Sequence, residues 1–257
     1  MIVIKYGGSA MTDPALRRAV ASEIGALREL RPVVVHGGGP FIQEALSRAG
    51  LESRFVRGLR VTTAESLEVV EAVLTRLSKR LAQEIGGAVG LSGRDAQLLV
   101  GKVFIPELGR VGEITRVNAD LLGRLLAAEL IPVVACLAAT EAGDDVLNVN
   151  ADSVAGAVAG TLRAPVVFLS DVPGVLDDPA DRGSLLPTLD AAEIAARIAD
   201  GRIAGGMIPK VEAALAALRR GASFAVIADG RNPAALRAAI AGEAGTRVVS
   251  LRPPGPR

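Results

Sequence analysis

The sequence predicts an α/β fold in which a parallel sheet is covered by helices, and three observations carry that prediction. Short aliphatic runs, IVI at 2–4 and PVVVH at 32–36, alternate with segments of helical spacing. Glycines cluster directly after these strands, at Gly7-Gly8 and Gly37-Gly38-Gly39. The same alternation returns in the second half, after a central stretch of different character. A chain of 257 residues is long enough for one large α/β domain or two modest lobes.

Taken in order, the first strand stops at Gly7-Gly8. Residues 14–30 follow as a helix, with Thr12 or Asp13 as N-cap and Pro14 near its first position. The strand at 32–36 leads through three glycines and Pro40 into a short helix ending near Arg48. From Ala64 to Ile85 a long helix aligns Leu67, Val70, Leu74, Leu77 and Leu81 on one side. Between 88 and 116 the runs AVGL, QLLV and KVFI, broken by glycines, suggest hairpins rather than crossover helices. Asn118 caps a helix reaching about Glu129, and PVVACL at 132–137 returns to a core strand. A helix at 151–162, a strand at 164–172, helices at 190–199 and 207–220, and a strand at 222–230 come next. A helix from Pro233 and a strand at 248–251 close the order, and the tail PPGPR is expected to fray. This order favours one structural unit over two separately folding domains.

Composition excludes several classes. Lys plus Arg is 29 against 28 for Asp plus Glu, so no excess of basic charge marks a nucleic-acid binder. Aromatics make up 2%, too few for base-stacking platforms. The single cysteine, Cys136, excludes an intramolecular disulfide framework, and its apolar setting reads as a buried small hydrophobe. One histidine and one cysteine cannot build the usual structural zinc sites. The first residues lack the apolar core of a signal peptide, and no window has the length of a membrane span. A cytoplasmic protein is the expectation.

Five short constellations could carry chemistry. Lys5-Tyr6-Gly7-Gly8-Ser9 sets an ammonium beside glycine N–H groups, which suits phosphate oxygens; read alone, it is equally a surface lysine before a turn. His36-Gly37-Gly38-Gly39-Pro40 places glycine N–H groups at a helix start, where anions bind. This stretch is neither a G-x-G-x-x-G dinucleotide site nor half of a serine hydrolase, because no G-x-S-x-G elbow exists. His36 itself reads as structural. The turn Arg57-Gly58-Leu59-Arg60 offers arginine to a carboxylate, or to an ordinary surface ion pair. Asn148-Val149-Asn150-Ala151-Asp152 precedes a helix; N-capping accounts for Asn150 or Asp152 but leaves Asn148 unexplained. Finally, Gly205-Gly206-Met207-Ile208-Pro209-Lys210 puts a lysine in a first helical turn, where the dipole disfavours it unless an anion is bound.

In sequence order, IKYGGSAM, VVVHGGGP, RGLRVT, VGEITRVNADLL, NVNAD, LSDVPGVL, GGMIPK and FAVIADGR resemble the amino acid kinase family over nearly the whole chain. Within it, the likeness is to members that phosphorylate N-acetyl-L-glutamate in arginine biosynthesis. The resemblance implies a three-layer αβα sandwich around a central, mainly parallel open sheet, as a single domain over 1–257. Residues 1–162 would form the lobe for the acyl amino acid and dimerisation, and 163–257 the ATP lobe. Lys5 and Lys210 would contact the transferring phosphate, with Asp152 holding both ammonium groups. Gly7, Gly8, Gly38 and Gly39 would offer N–H groups to phosphoryl oxygens. Arg60 and Asn148 would grip N-acetyl-L-glutamate beside Gly38 and Gly39, and Asp171, Gly205 and Lys210 would lie near the nucleotide. Mg2+ would be held mainly by ATP phosphates, without a protein ligand set.

The acceptor is a carboxylate of intrinsic pKa about 4.3, already ionised near neutrality, so no general base is needed. Departures from the family pattern are Ser9 and Gln43, where asparagine is common, and Ala96, where glycine is usual. A kinase acting on carrier-bound aminoadipate or glutamate is the alternative enzyme, and a metabolite-binding regulatory module the alternative outside catalysis. Because the chain starts at its first strand, the resemblance also implies a homodimer weakly regulated by arginine, with neither nucleic acid nor membrane as partner.

Overall fold

The computed structural model describes residues 1–250, apart from Arg57 and the side chain of Ser9. The expected fraying of PPGPR therefore lies outside the described residues. The chain opens with β1 (Ile2–Tyr6), α1 (Pro14–Ala26), β2 (Pro32–His36) and α2 (Gly39–Arg48). The Asp13 carboxylate accepts from the N–H groups of Ala15 and Leu16, which starts α1 where the sequence places it. The α-helix ends at Ala26, however, and a 3-10 turn over Arg28–Leu30 completes the expected segment. A two-residue hairpin, β3 (Phe55–Val56) and β4 (Leu59–Arg60), precedes α3 (Ala64–Ile85), capped by Thr63.

The central stretch holds β5 (Ala88–Ser92), β6 (Leu99–Val103), β7 (Val111–Val117), α4 (Ala119–Ala127) and β8 (Ile131–Ala135). Next come β9 (Leu137–Thr140), β10 (Val146–Val149) and α5 (Ala151–Leu162). The expectation of hairpins holds for β6 and β7, which pair antiparallel, but β5 pairs in parallel with β8 in the main sheet. The expected strand 132–137 divides at Cys136, because β8 ends in the main sheet and β9 joins a small closed sheet, β10-β7-β6-β9.

The second half contains β11 (Val166–Ser170), β12 (Thr188–Asp190), α6 (Ala191–Ala199), α7 (Ile208–Arg219), β13 (Ala225–Asp229), α8 (Ala234–Ala241) and β14 (Thr246–Val249). The last strand thus begins two residues before the expected 248–251, and Leu251 lies outside the described residues. The main sheet has eight strands in the order β12-β14-β13-β11-β1-β2-β8-β5. Only the β13–β14 pairing is antiparallel, so the sheet is mainly parallel and open.

Alternation along the strands divides the core between two faces. Val3, Val33, Val35, Val166 and Phe168 pack with α4, α5 and α7. Ile2, Ile4, Val34, Val167 and Leu169 pack with α1, α8 and the carboxyl-terminal half of α3. Helices on both faces make the three-layer αβα sandwich. No helix among the described residues is long and apolar enough to cross a membrane.

Candidate active site

From β1 the chain passes to β2 on one side, whereas the strands that follow β11, namely β12, β13 and β14, all lie on the other. This reversal opens a crevice at the carboxyl ends of β11 and β1, where open α/β sheets bind ligands. Lys5 sits near that end of β1, on the face covered by α5. Its Nζ lies 2.9 Å from Asp152 Oδ1, and the two side chains are 14% and 23% exposed. Asn150 prepares the pair. Its side-chain oxygen accepts from the N–H groups of Asp152 and Ser153, starting α5 and fixing Asp152 in the first turn. A carboxylate is favoured there by the helix dipole.

The two glycine loops meet above the crevice. A Cβ on Gly8 would lie 2.9 Å from the Gly39 nitrogen and 3.1 Å from the Pro40 ring, so only glycine permits this approach. Gly7 lies beside the Lys5 ammonium. Gly38 is the N-cap of α2 and supplies no side-chain hydrogen bond, so the first N–H groups of that helix are left for other acceptors. Gly37, Gly38 and Gly39 line a cleft together with Arg60, Asn148, Asn150 and Cys136.

Arg60 is 8% exposed and has no ion pair among the described residues. One guanidinium nitrogen donates to Gln43 Oε1 at 3.1 Å and to Ser53 Oγ, the other to the Gly39 carbonyl at 3.2 Å. The Phe55 ring stacks on it with its centroid 4.6 Å away. Burial works against this charge and lowers the pKa. Asn148 Nδ2 donates to Thr62 Oγ1 at 3.1 Å, and that hydroxyl donates in turn to the Arg60 carbonyl. Arg57, the other arginine of this turn, lies outside the described residues.

On the far side of the crevice, Asp171 directly follows β11 and Gly205 opens the turn before α7. Lys210 is in the first turn of α7, with Nζ 3.6 Å from Asp171 Oδ1 and 3.3 Å from the Gly206 carbonyl. Burial alone would raise Asp171, but the Ser170 hydroxyl and the Lys210 charge outweigh it and hold the carboxyl below its ordinary value. Asp152 therefore pairs with Lys5, and Lys210 pairs with Asp171 rather than with Asp152.

Two further groups are buried at this edge. Desolvation pushes Cys136 up to about 12, so it stays a thiol. Burial pushes His36 down to about 4, against the smaller effect of its bond to Gly37, so the ring is neutral near pH 7. Sequence reasoning did not find Gln43, Ser53, Phe55 and Thr62 as supports of Arg60 and Asn148. Gln43 carried a signal, since it lies one helical turn after Gly39; Ser53 and Phe55, in an irregular segment, carried none. Ala96 takes φ +48°, in the left-handed region that favours glycine.

Residues 1–229 match the sequence profile of the amino acid kinase family. The chain belongs to the amino acid kinase family. Among other members, it is 56% identical over 249 residues to the acetylglutamate kinase of Deinococcus radiodurans, covering 96% of this chain and 100% of that one. It is 50% identical over 249 residues to the acetylglutamate kinase of Thermus thermophilus, covering 95% and 96%. The N-acetylglutamate synthase of Neisseria gonorrhoeae, solved with coenzyme A and L-arginine, superposes with a TM-score of 0.81 at 23% identity. That likeness is one of fold: it covers 97% of this chain, which spans 61% of the synthase chain.

Proposed function

We infer that this chain transfers the γ-phosphoryl group of ATP to the side-chain carboxylate of N-acetyl-L-glutamate, giving N-acetyl-L-glutamyl 5-phosphate in arginine biosynthesis. Identity of 50% and 56% to two acetylglutamate kinases over almost their whole length supports this reading. The observation that carries it to the site is Arg60, a buried guanidinium without a carboxylate partner among the described residues, in one cleft with Asn148 and the glycine loop. A buried, forked cation calls for a planar anion. The α-carboxylate of N-acetyl-L-glutamate fills that place, with Asn148 donating to the acyl amino acid.

A carboxylate oxygen then attacks the γ-phosphorus, the bond to the β,γ-bridging oxygen breaks, and ADP leaves with that electron pair. No proton moves, and His36 takes no part as a base. Lys5 and Lys210 approach the phosphoryl oxygens from opposite sides, and the N–H groups of Gly7, Gly8, Gly38 and Gly39 meet them from the loops. Asp152 holds Lys5 in place for this, while Asp171, Gly205 and Lys210 border the nucleotide. On this reading magnesium would be held mainly by the ATP phosphates, without a protein ligand set. When bound, the ion neutralises charge across the β- and γ-phosphates.

On this reading residues 1–162 serve the acyl amino acid and dimerisation, and 163–257 serve ATP, in a cytoplasmic homodimer weakly regulated by arginine. Incubation with MgATP and hydroxylamine tests the substrate, with separate samples of N-acetyl-L-glutamate, glutamate, aspartate, carbamate, UMP and aminoadipate-loaded carrier protein. Hydroxamate formed selectively with N-acetyl-L-glutamate is the expected result; formation only with the carrier-bound acid would overturn it. Sedimentation as a hexamer, or strong inhibition by low arginine, would overturn the homodimer.

A further inference from the structure

His36 is fully buried and takes no part in the chemistry described above, yet it touches the glycine loop. Its Nδ1 lies 3.0 Å from the carbonyl oxygen of Gly37. A carbonyl only accepts, so the Nδ1 atom must carry the proton. The other ring nitrogen, Nε2, is buried with no hydrogen-bond partner among the described residues. A fold that needed only bulk here would avoid an unsatisfied polar atom, whose burial costs about 1–3 kcal/mol. The imidazole is retained at a disadvantage, and the one bond it makes is to the loop.

That bond has a geometric consequence. The described chain has no cis peptide, so the carbonyl of Gly37 and the N–H of Gly38 point in opposite directions across one rigid plane. Gly37 N–H is also tied, donating to the Tyr6 carbonyl at 3.3 Å. With the Gly37 carbonyl turned to the imidazole, the Gly38 N–H points away from it, and Gly37, Gly38 and Gly39 line the cleft with Asn148 and Asn150. Glycine has no Cβ to resist rotation about either neighbouring bond, so an untethered Gly37–Gly38 peptide could flip and withdraw this donor.

We propose that His36 is a positioning residue for phosphoryl transfer: its Nδ1–H locks the Gly37 carbonyl and thereby aims the Gly38 N–H at the transferring phosphoryl group. The inference rests on the kinase reading given above and assigns that reaction a residue outside the substrate's reach. The imidazole touches neither substrate nor nucleotide; it acts through one peptide plane.

Three substitutions separate the two ring nitrogens. In His36→Asn the side-chain amide nitrogen occupies the place of Nδ1; in His36→Gln it occupies the place of Nε2; His36→Leu has neither. If the Nδ1 bond aims the loop, His36→Leu and His36→Gln lose about 10²-fold in kcat, the effect of one misaligned oxyanion donor. The KM for N-acetyl-L-glutamate changes little, and His36→Asn recovers most of the lost turnover. Thermal unfolding separates this from simple damage, because His36→Leu removes the orphaned nitrogen and should unfold no earlier than the wild type. The backbone amide resonance of Gly38, followed as MgADP and aluminium fluoride are added, should shift in the wild type and in His36→Asn but not in His36→Gln. Wild-type kcat in His36→Leu, or equal losses in His36→Asn and His36→Gln, would overturn the proposal. Absence of turnover in the wild type itself would instead overturn the substrate reading.

Discussion

Lys5 and Asp152 meet at 2.9 Å with both side chains largely withdrawn from water, whereas Lys210 stands 3.6 Å from an Asp171 whose side chain is 57% exposed. The first pair joins a central strand to the capped first turn of a helix packed on it, so both partners are carried by elements of the core. The second joins a residue just past β11 to the first turn of α7, at the rim of the crevice. Solvent screens the rim pair and weakens it. On the kinase reading the contrast has a use. The Lys5 side is ready before substrate arrives, and the Lys210 side exchanges one anion, Asp171, for another, the nucleotide phosphate.

Removing either lysine makes the hardest test. Lys5→Ala and Lys210→Ala should each lower kcat by about 10³-fold, the scale of a lost electrostatic contact to the transition state. Their folding should differ: Lys5→Ala strands a largely buried Asp152 and should unfold earlier, while Lys210→Ala should unfold as the wild type does. Equal thermal midpoints for the two variants would erase the distinction, and near-wild-type turnover in either would remove that lysine from the reaction.

Acid should act on His36 and Asp171 in different windows. His36 falls from 6.5 in the unfolded chain to about 4 in the folded one, so the unfolded state binds more protons between these values. Above pH 6.5 the ring is neutral in both states and costs nothing by titration; as pH falls toward 4 the unfolded chain gains a proton that the folded chain refuses, a penalty of ~3 kcal/mol over that span. Asp171, also held below its ordinary value, contributes above the unfolded carboxylate range and is lost only at still lower pH. Urea unfolding at successive pH values should show stability declining from pH 6.5 downward, and His36→Leu should flatten that limb. An unchanged slope in this variant would assign the acid sensitivity elsewhere.

The mildest effects come from neutralising the carboxylates. Asp152→Asn loosens the Lys5 ammonium and, on the kinase reading, should lower kcat by about 10²-fold with little change in KM, as small misplacements do. Asp171→Asn should alter the KM for ATP by about fivefold or less, the range of an exposed ion pair. Steady-state kinetics with both substrates varied would invert the assignment of fixed and exchangeable sides if Asp171→Asn proved the more damaging.

Much of this architecture was legible beforehand because it is local. IVI and PVVVH, the leucine row of α3, and the caps Asp13 and Asn118 act through neighbours a few residues away, and the structure places each as expected. Glycine clusters after β1 and β2 marked the loops for the same reason. Five short strands, β3, β4, β9, β10 and β12, escaped detection because two to four residues give too little periodicity. Residue type and motif order brought Lys5, Arg60, Asn148, Asp152 and Lys210 forward as candidates.

What they touch was decided by tertiary structure alone. Asp152 turns to Lys5 because α5 packs on the face of β1 that carries it, and Lys210 turns to Asp171 because α7 starts beside the end of β11. Arg60 is held by α2, by the segment at Ser53 and by its own hairpin, which no sequence spacing relates. His36, read as structural, has acquired a direction through one hydrogen bond to the next residue. Sequence by itself determined the elements and the chemistry available at their ends, because helices, strands and caps answer to near neighbours. Ion-pair choice, cleft shape and the aim of a single N–H required the packed sheet, because those depend on which distant segments share a face.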